Sequence, residues 1–161
     1  MVEVNPDVLA PCGLYCGVCA ILIAHRDNNV KFKEKLIKVY YPMTQKIEDI
    51  QCKGCLSNEC VASFCQVCDI KKCVNKKGIK TCAQCDEFPC KKIKRFAIPV
   101  GKKVIMRAIP RWKALIDEHG FEEGTAKWAA EEEERYTCEC GNQLFRGAKK
   151  CNKCKIPVDV D

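Results

Sequence analysis

The sequence has only two histidines, His25 and His119, and it lacks the common catalytic motifs. The GxSxG turn of serine hydrolases, the phosphate-binding P-loop and the glycine-rich dinucleotide fingerprint are all absent. Both histidines lie in segments of helical character, and His119 precedes Gly120, at a position where a helix C-terminus favours a cation. We expect structural roles for both histidines, and the sequence identifies neither a reaction nor catalytic residues.

Long apolar segments are missing as well. The longest one spans residues 18–24, whereas a helix needs about 20 apolar residues to cross a membrane. Residues 1–10 have no basic region, no apolar core and no small-residue cleavage site of the kind found in signal peptides. These absences predict a cytoplasmic protein that does not associate with membranes. In that compartment thiols stay reduced and disulfides are rare.

Cysteine, by contrast, is abundant, with 16 of the 161 residues. This density is typical either of a disulfide framework or of a metal-binding protein. Only the even number of cysteines supports disulfides, and the expected reducing compartment argues against them. We therefore expect every cysteine to be a metal ligand.

The cysteines fall into five groups along the chain, and three of the groups share the spacing CxxCxxxxC. In chain order the groups are Cys12, Cys16 and Cys19; Cys52, Cys55 and Cys60; Cys65, Cys68 and Cys73; Cys82, Cys85 and Cys90; and Cys138, Cys140, Cys151 and Cys154. Two cysteines two residues apart can direct both sulfurs to one ion at about 2.3 Å, which is how paired cysteine turns build tetrahedral zinc sites.

The last four cysteines predict a short C-terminal zinc ribbon. Ten residues separate Cys140 from Cys151, and Gly141 follows the first pair where a tight turn needs backbone freedom. The first pair has the spacing CxC, whereas zinc ribbons normally have CxxC. Four cysteines still supply a complete tetrahedral ligand set.

Each CxxCxxxxC triplet is one ligand short of such a set. Together with the N-terminal trio, the three triplets provide twelve ligands, so that about four zinc ions would use all sixteen cysteines. Each triplet could take one thiolate from the trio. Alternatively, the trio could join one distant ligand while the triplets interleave. The spacing favours neither arrangement.

Iron-sulfur clusters are the alternative cofactor, because four cysteines also hold iron. The cysteine spacings of ferredoxins are absent. Cys12, Cys16 and Cys19 match the CxxxCxxC motif of radical SAM enzymes, but the crowded cysteines that follow leave no room for the repeated βα units of a barrel. An iron-sulfur redox protein or small enzyme is thus the second hypothesis, after a zinc-binding scaffold or interaction module.

The formal net charge is +7 with neutral thiols. It falls almost to zero when sixteen thiolates bind four divalent ions, so net charge alone does not indicate a partner. The positive charge is concentrated in the stretch that begins at Lys71 and ends at Lys113, and the negative charge in residues 117–139. These stretches either face each other, or a basic surface contacts an acidic protein or nucleic acid. That surface is either the basic stretch or the basic residues of the ribbon, Arg146, Lys149, Lys150 and Lys153.

The expected fold is a small metal-stabilised α+β protein with helices, irregular zinc-knuckle loops, the ribbon and no large sheet. Asn29 should cap a helix that ends before Pro42, and Pro99 and Pro110 should interrupt the helical pattern after residue 90. Thr125 should cap a last helix. We expect a cysteine-rich multi-metal domain at residues 1–95, a helical segment at 96–136 and the ribbon at 137–161.

The segment CGLYCGVC, from Cys12 to Cys19, resembles a family of cysteine-rich bacterial and archaeal proteins, domain of unknown function 3795. The likeness extends through the triplets to DEFPC, which ends at Cys90, and to the charged helix before the ribbon. It covers most of the chain and is weakest at residues 94–109 and at the CxC pair. The resemblance implies cytoplasmic metal binding in a prokaryote, and it implies no activity.

Overall fold

The computed structural model describes residues 3–161, and within that range the chain is mostly helical. Its seven α-helices are α1, Ala20–Arg26; α2, Val30–Val39; α3, Ser63–Gln66; α4, Asp69–Lys77; α5, Lys91–Lys94; α6, Pro99–His119; and α7, Phe121–Arg135. The β-structure of the described range consists of two isolated antiparallel bridges, Thr137 with Gln143 and Lys150 with Pro157. A small helical fold without a large sheet is therefore confirmed, and the expected β component is limited to these bridges.

Helix α2 begins where the sequence predicts. The Asn29 side chain accepts a hydrogen bond from the Phe32 amide at 3.0 Å, which satisfies one of the free donors of the first turn. The helix ends at Val39, before Pro42. Its buried Leu36 packs with residues of α1 and the following loop in a smaller core cluster that contains Ala20, Ile21, Ala24, Leu36, Ile50, Cys52 and Ala62.

Helices α6 and α7 form an antiparallel hairpin. Gly120 ends α6 with a positive φ of 81°, as its position in the sequence predicts. Gly124 lets the two helices approach closely, because a Cβ at this position would lie 2.4 Å from the Leu115 carbonyl oxygen. The rings of Trp112 and Trp128 stack between the helices, with centroids 3.9 Å apart and planes 2° apart.

Two expectations about these helices are wrong. Pro110 does not interrupt α6, which continues through it. Burial of Ile109 and Trp112 on either side offsets the cost of about 3 kcal/mol that an internal proline carries. Thr125 is not a helix cap. It is buried inside α7, and its hydroxyl accepts a hydrogen bond from Trp112 Nε1 at 2.9 Å.

The larger core cluster joins distant parts of the chain. Its buried members include Val18 near the N-terminus, Trp112 and Trp128 of the hairpin, and Leu144 and Cys151 near the C-terminus. The same cluster contains Cys12 and Cys16, so the C-terminal segment packs against the first cysteine trio although the two are far apart in sequence. Within residues 3–161, no helix combines the length and apolarity needed to cross a membrane.

Candidate metal centres

The four C-terminal cysteines lie on two tight turns. In the first turn, the Cys138 amide donates to the Asn142 carbonyl at 2.9 Å and the Gly141 amide donates to the Cys138 carbonyl at 2.7 Å. Gly141 has a φ of 80°, which glycine adopts at little cost. In the second turn, the Lys155 amide donates to the Cys151 carbonyl at 3.0 Å. The CxC pair thus forms a turn that presents both of its sulfurs despite the shorter spacing.

The sulfur atoms of this group converge. Cys138 Sγ lies 3.6 Å from Cys154 Sγ, and Cys140 Sγ lies 3.7 Å from Cys151 Sγ. All four Sγ atoms are within 4.8 Å of one another. Four sulfurs at about 2.3 Å from a central zinc ion would lie about 3.8 Å apart, so the arrangement fits one tetrahedral ion. We call this group the ribbon site.

Thiols this close to each other do not ionise independently. At Cys138 the Cys140 amide acts to lower the pKa, but burial and hydrogen bonds with the other three thiols outweigh it and raise the pKa to about 12. The pKa of Cys151 is lowered to about 6, first by a hydrogen bond from the Cys154 backbone. Without a cation the group therefore shares protons. A divalent ion displaces those protons, and all-sulfur ligands favour zinc or iron over magnesium or calcium.

The twelve upstream cysteines are arranged less tightly. Among residues 3–161, the ribbon site is the one group in which three or more thiol, imidazole or carboxylate ligand atoms all lie within 4.8 Å of one another. Contacts nevertheless join the N-terminal trio to the first triplet, since the Cys55 amide donates to Cys16 Sγ at 3.3 Å. Within the same triplet, the Gly54 amide donates to Cys52 Sγ at 3.4 Å. Backbone N–H donors of this kind stabilise thiolates.

The third triplet lines a cavity together with the last cysteine of the second. Cys82, Cys85 and Cys90 share this cavity of about 270 Å³ with Cys73. Burial, reinforced by the neighbouring thiols of Cys85, Cys90, Cys73 and Cys68, raises the pKa of Cys82 to about 12. The spacing did not predict that Cys73 lines this cavity, because Cys73 belongs to the preceding triplet.

Arg146, which the sequence marks only as one of several basic residues of the ribbon, has a place in this region that sequence reasoning missed. Its Nη1 atom is buried and has no hydrogen-bond partner among the described residues. Burial acts to lower the pKa of its guanidinium, but the neighbouring thiols of Cys19 and Cys16 outweigh this effect and raise it. A buried cation requires a compensating anion, so Arg146 fits a trio that is ionised as thiolates. No local pattern marks it, because the contact spans more than a hundred residues.

Neither histidine belongs to the ribbon site or lines the cavity of the third triplet. His25 lies in the last turn of α1 and lines a different cavity, to which Cys52 also contributes. His119 is the last residue of α6, and its ring nitrogens lie 3.5 Å from Glu118 and 3.8 Å from Glu123. These positions agree with the structural roles expected from the sequence.

The comparisons with known proteins give one match. The model of a family described as "Protein of unknown function (DUF3795)" matches residues 8–95, which is more than half of the chain and includes all twelve upstream cysteines. No curated protein and no solved structure matches the chain.

Proposed function

The chain belongs to the DUF3795 family, and from its cysteine chemistry we propose that it is a zinc-binding scaffold protein whose metal ions have a structural role. The observation that carries this proposal is the convergence of four sulfurs at the ribbon site, with distances of 3.6 and 3.7 Å across two pairs. A zinc ion with four protein ligands has no open position for water or substrate, which is typical of structural sites.

Contacts around the ribbon site support a scaffolding role. Gln143 Nε2 donates to the Gly17 carbonyl at 3.0 Å, and the Leu144 amide donates to the Tyr136 carbonyl at 2.7 Å. These bonds attach the ribbon both to the first cysteine trio and to the end of α7. Zinc at the ribbon site would fix the two turns from which these contacts are made, since a structural metal contributes directly to folding free energy.

The charge distribution limits which basic residues remain free for a partner. Several cations of the stretch from Lys71 to Lys113 are paired with acids of the α6–α7 hairpin, and the pairs are Lys80 with Glu122, Arg107 with Glu132, Arg111 with Glu131 and Lys113 with Asp117. The basic and acidic stretches thus face each other at these pairs, which leaves less of the basic stretch available for phosphate groups.

One part of the stretch remains exposed and unpaired. Helix α5 and the residue after it carry four cations, Lys91, Lys92, Lys94 and Arg95. Within residues 3–161 none of them forms an ion pair. This basic cluster is where the scaffold would contact an acidic protein or nucleic acid. Binding of single-stranded RNA or duplex DNA should weaken steeply with salt, and Lys94→Ala with Arg95→Ala should reduce it, while Lys38→Ala on α2 should not. Binding without salt dependence would contradict this part of the proposal.

Metal analysis tests the central proposal. The protein is purified without oxygen, and zinc, iron and acid-labile sulfide are measured per chain together with the visible spectrum. We expect about four zinc ions, no iron and a colourless solution. Iron with sulfide and visible absorbance would instead support the alternative, an iron-sulfur protein. Cys138→Ala with Cys140→Ala should remove one zinc ion and leave the remainder.

A further inference from the structure

Four cysteines from two different triplets line the cavity between α4 and α5. They are Cys73, Cys82, Cys85 and Cys90, and the apolar part of the lining is formed by Ile70, Val74, Ile79, Phe88 and Ile93. Ile70, Val74 and Ile93 are also buried in the protein, so the cavity has a fixed apolar floor. The four cysteines themselves are half-buried, so a ligand held by their thiols would be partly shielded from water, which strengthens thiolate binding to a cation.

The backbone explains why Cys73 meets the next triplet. Helix α4 ends at Gly78, whose φ of 67° turns the chain back on itself, and the Ile79 amide bonds to the Val74 carbonyl at 3.1 Å. The returning segment is held at Cys82, whose amide donates to the Pro11 carbonyl at 2.9 Å. Cys90 then begins α5, with its carbonyl accepting from the Lys94 amide at 3.0 Å.

The three cysteines of the second triplet do not share one cavity. Cys65 packs against the smaller core cluster, which contains Cys52. Cys68 packs against the larger core cluster, as do Cys82 and Cys90. Of the three, Cys73 is the one that lines the cavity. The packing thus separates Cys73 from Cys65 and Cys68 with respect to this cavity, although the spacing of the triplet repeats that of its neighbours.

Cations at the cavity rim match the charge that four thiolates would bring. Lys77 Nζ lies 3.4 Å from Cys85 Sγ and also pairs with Glu87 at 2.7 Å. Lys91 and Lys92 complete the basic side of the lining. Four thiolates with one divalent ion carry two negative charges, and these ammonium groups offset them.

We propose that Cys73, Cys82, Cys85 and Cys90 together bind one metal centre in this cavity through four thiolates. The inference rests on the proposed function, from which zinc is the expected metal, and it assigns the ligand set. It implies that the upstream cysteines interleave, so that the third triplet takes its fourth ligand from the second triplet and not from the N-terminal trio.

Metal stoichiometry in single and double variants tests this assignment. Cys73→Ala and Cys82→Ala should each lose one metal equivalent, and the double variant should lose the same single equivalent. Cys68→Ala is the matched control from the same triplet as Cys73. It should remove a different equivalent, so that Cys68→Ala with Cys73→Ala loses two.

Either of two results with the double variants would overturn the ligand set. One is additive loss in Cys73→Ala with Cys82→Ala, and the other is a single shared loss in Cys68→Ala with Cys73→Ala. Unchanged metal content and unchanged chelator resistance in Cys73→Ala would also reject it.

A measurement on the unaltered protein avoids variants that fail to fold. The chelator concentration is raised stepwise, exposed thiols are alkylated with N-ethylmaleimide, and the labelled cysteines are identified by mass spectrometry. The four cavity cysteines should become reactive together, at a chelator concentration different from that of the ribbon site. Labelling of Cys73 in step with Cys65 and Cys68 would contradict the proposal.

The metal found in the unaltered protein separates this inference from the proposed function. Iron with sulfide would reject zinc as the metal, yet the same double variants, measured by iron content, would still decide which cysteines share a centre. Zinc with additive losses would instead support the zinc scaffold and reject the ligand set.

Discussion

The backbone amide of Arg146 donates a hydrogen bond to the carbonyl oxygen of Val18 at 2.9 Å. This bond joins the segment between the two cysteine turns of the ribbon to the short helical turn that carries Cys16 and precedes Cys19. It places the Arg146 guanidinium beside the trio, so one residue of the ribbon segment contributes both a backbone contact and a positive charge to the N-terminal cysteines.

The Arg146–Val18 bond should depend on zinc at the ribbon site. Removing that ion through Cys138→Ala with Cys140→Ala should loosen the two cysteine turns that flank Arg146, because a structural metal site contributes to folding. The Arg146 amide should then exchange with deuterium faster, which hydrogen exchange with mass spectrometry detects. Lys149→Ala, an exposed change in the same segment, should leave zinc content and exchange unaltered. Equal protection with and without the ion would contradict a scaffolding role for the ribbon.

Replacing Arg146 by methionine should weaken metal retention at the trio. The change removes a buried positive charge near Cys16 and Cys19 and leaves their thiolates uncompensated, a loss that costs about 3 kcal/mol at buried pairs. The loss should appear as metal release at lower chelator concentration, and Arg146→Lys should restore part of the resistance because it keeps the charge. If Arg146→Met released metal at the same chelator concentration as the unaltered protein, the guanidinium would not compensate the thiolate charge.

The two Arg–Glu pairs of the α6–α7 hairpin should contribute very differently to stability. Glu132 is buried and accepts two hydrogen bonds from Arg107, at 2.5 and 3.1 Å. Glu132→Gln should lower the free energy of unfolding by about 3 kcal/mol, because it leaves the Arg107 charge without its partner. Glu131→Gln is the matched control, since its pair with Arg111 is exposed and screened by water. Urea denaturation of both variants checks this, and equal losses would show that burial does not set the difference.

Zinc affinity at the ribbon site should increase with pH between about 6 and 8. The raised pKa of Cys138 means that zinc must displace its proton, so proton competition weakens as pH rises. The pKa of Cys151 is lowered to about 6, so its thiolate is lost only as the pH falls through that value. Competition with a zinc chelator of known affinity, measured across this range, gives the dependence. A dissociation constant that did not change with pH would show that the ion does not replace thiol protons.

Several features of the fold followed from short segments of sequence. Asn29 capped α2 and Gly120 ended α6, because a cap depends on a side chain or a positive φ within a few residues. The four cysteines of the ribbon were identified as one site for a similar reason, since two local turns position their sulfurs. Predictions failed where packing competed with a local preference. Pro110 stayed inside α6, and Thr125 served as a partner of Trp112 in the core.

The sequence by itself determined which ligand atoms this protein can offer, because the number and type of side chains are a property of composition, and sixteen thiols with two histidines make sulfur the dominant ligand available to a metal. It also determined the start of α2, the end of α6 and the turns of the ribbon, which are set by neighbours along the chain. Only the tertiary structure decided that Cys73 lies with Cys82, Cys85 and Cys90, and that Arg146 lies beside the trio. These relationships arise from packing between residues that are distant in sequence, and periodic spacing carries no information about which repeat will contact which.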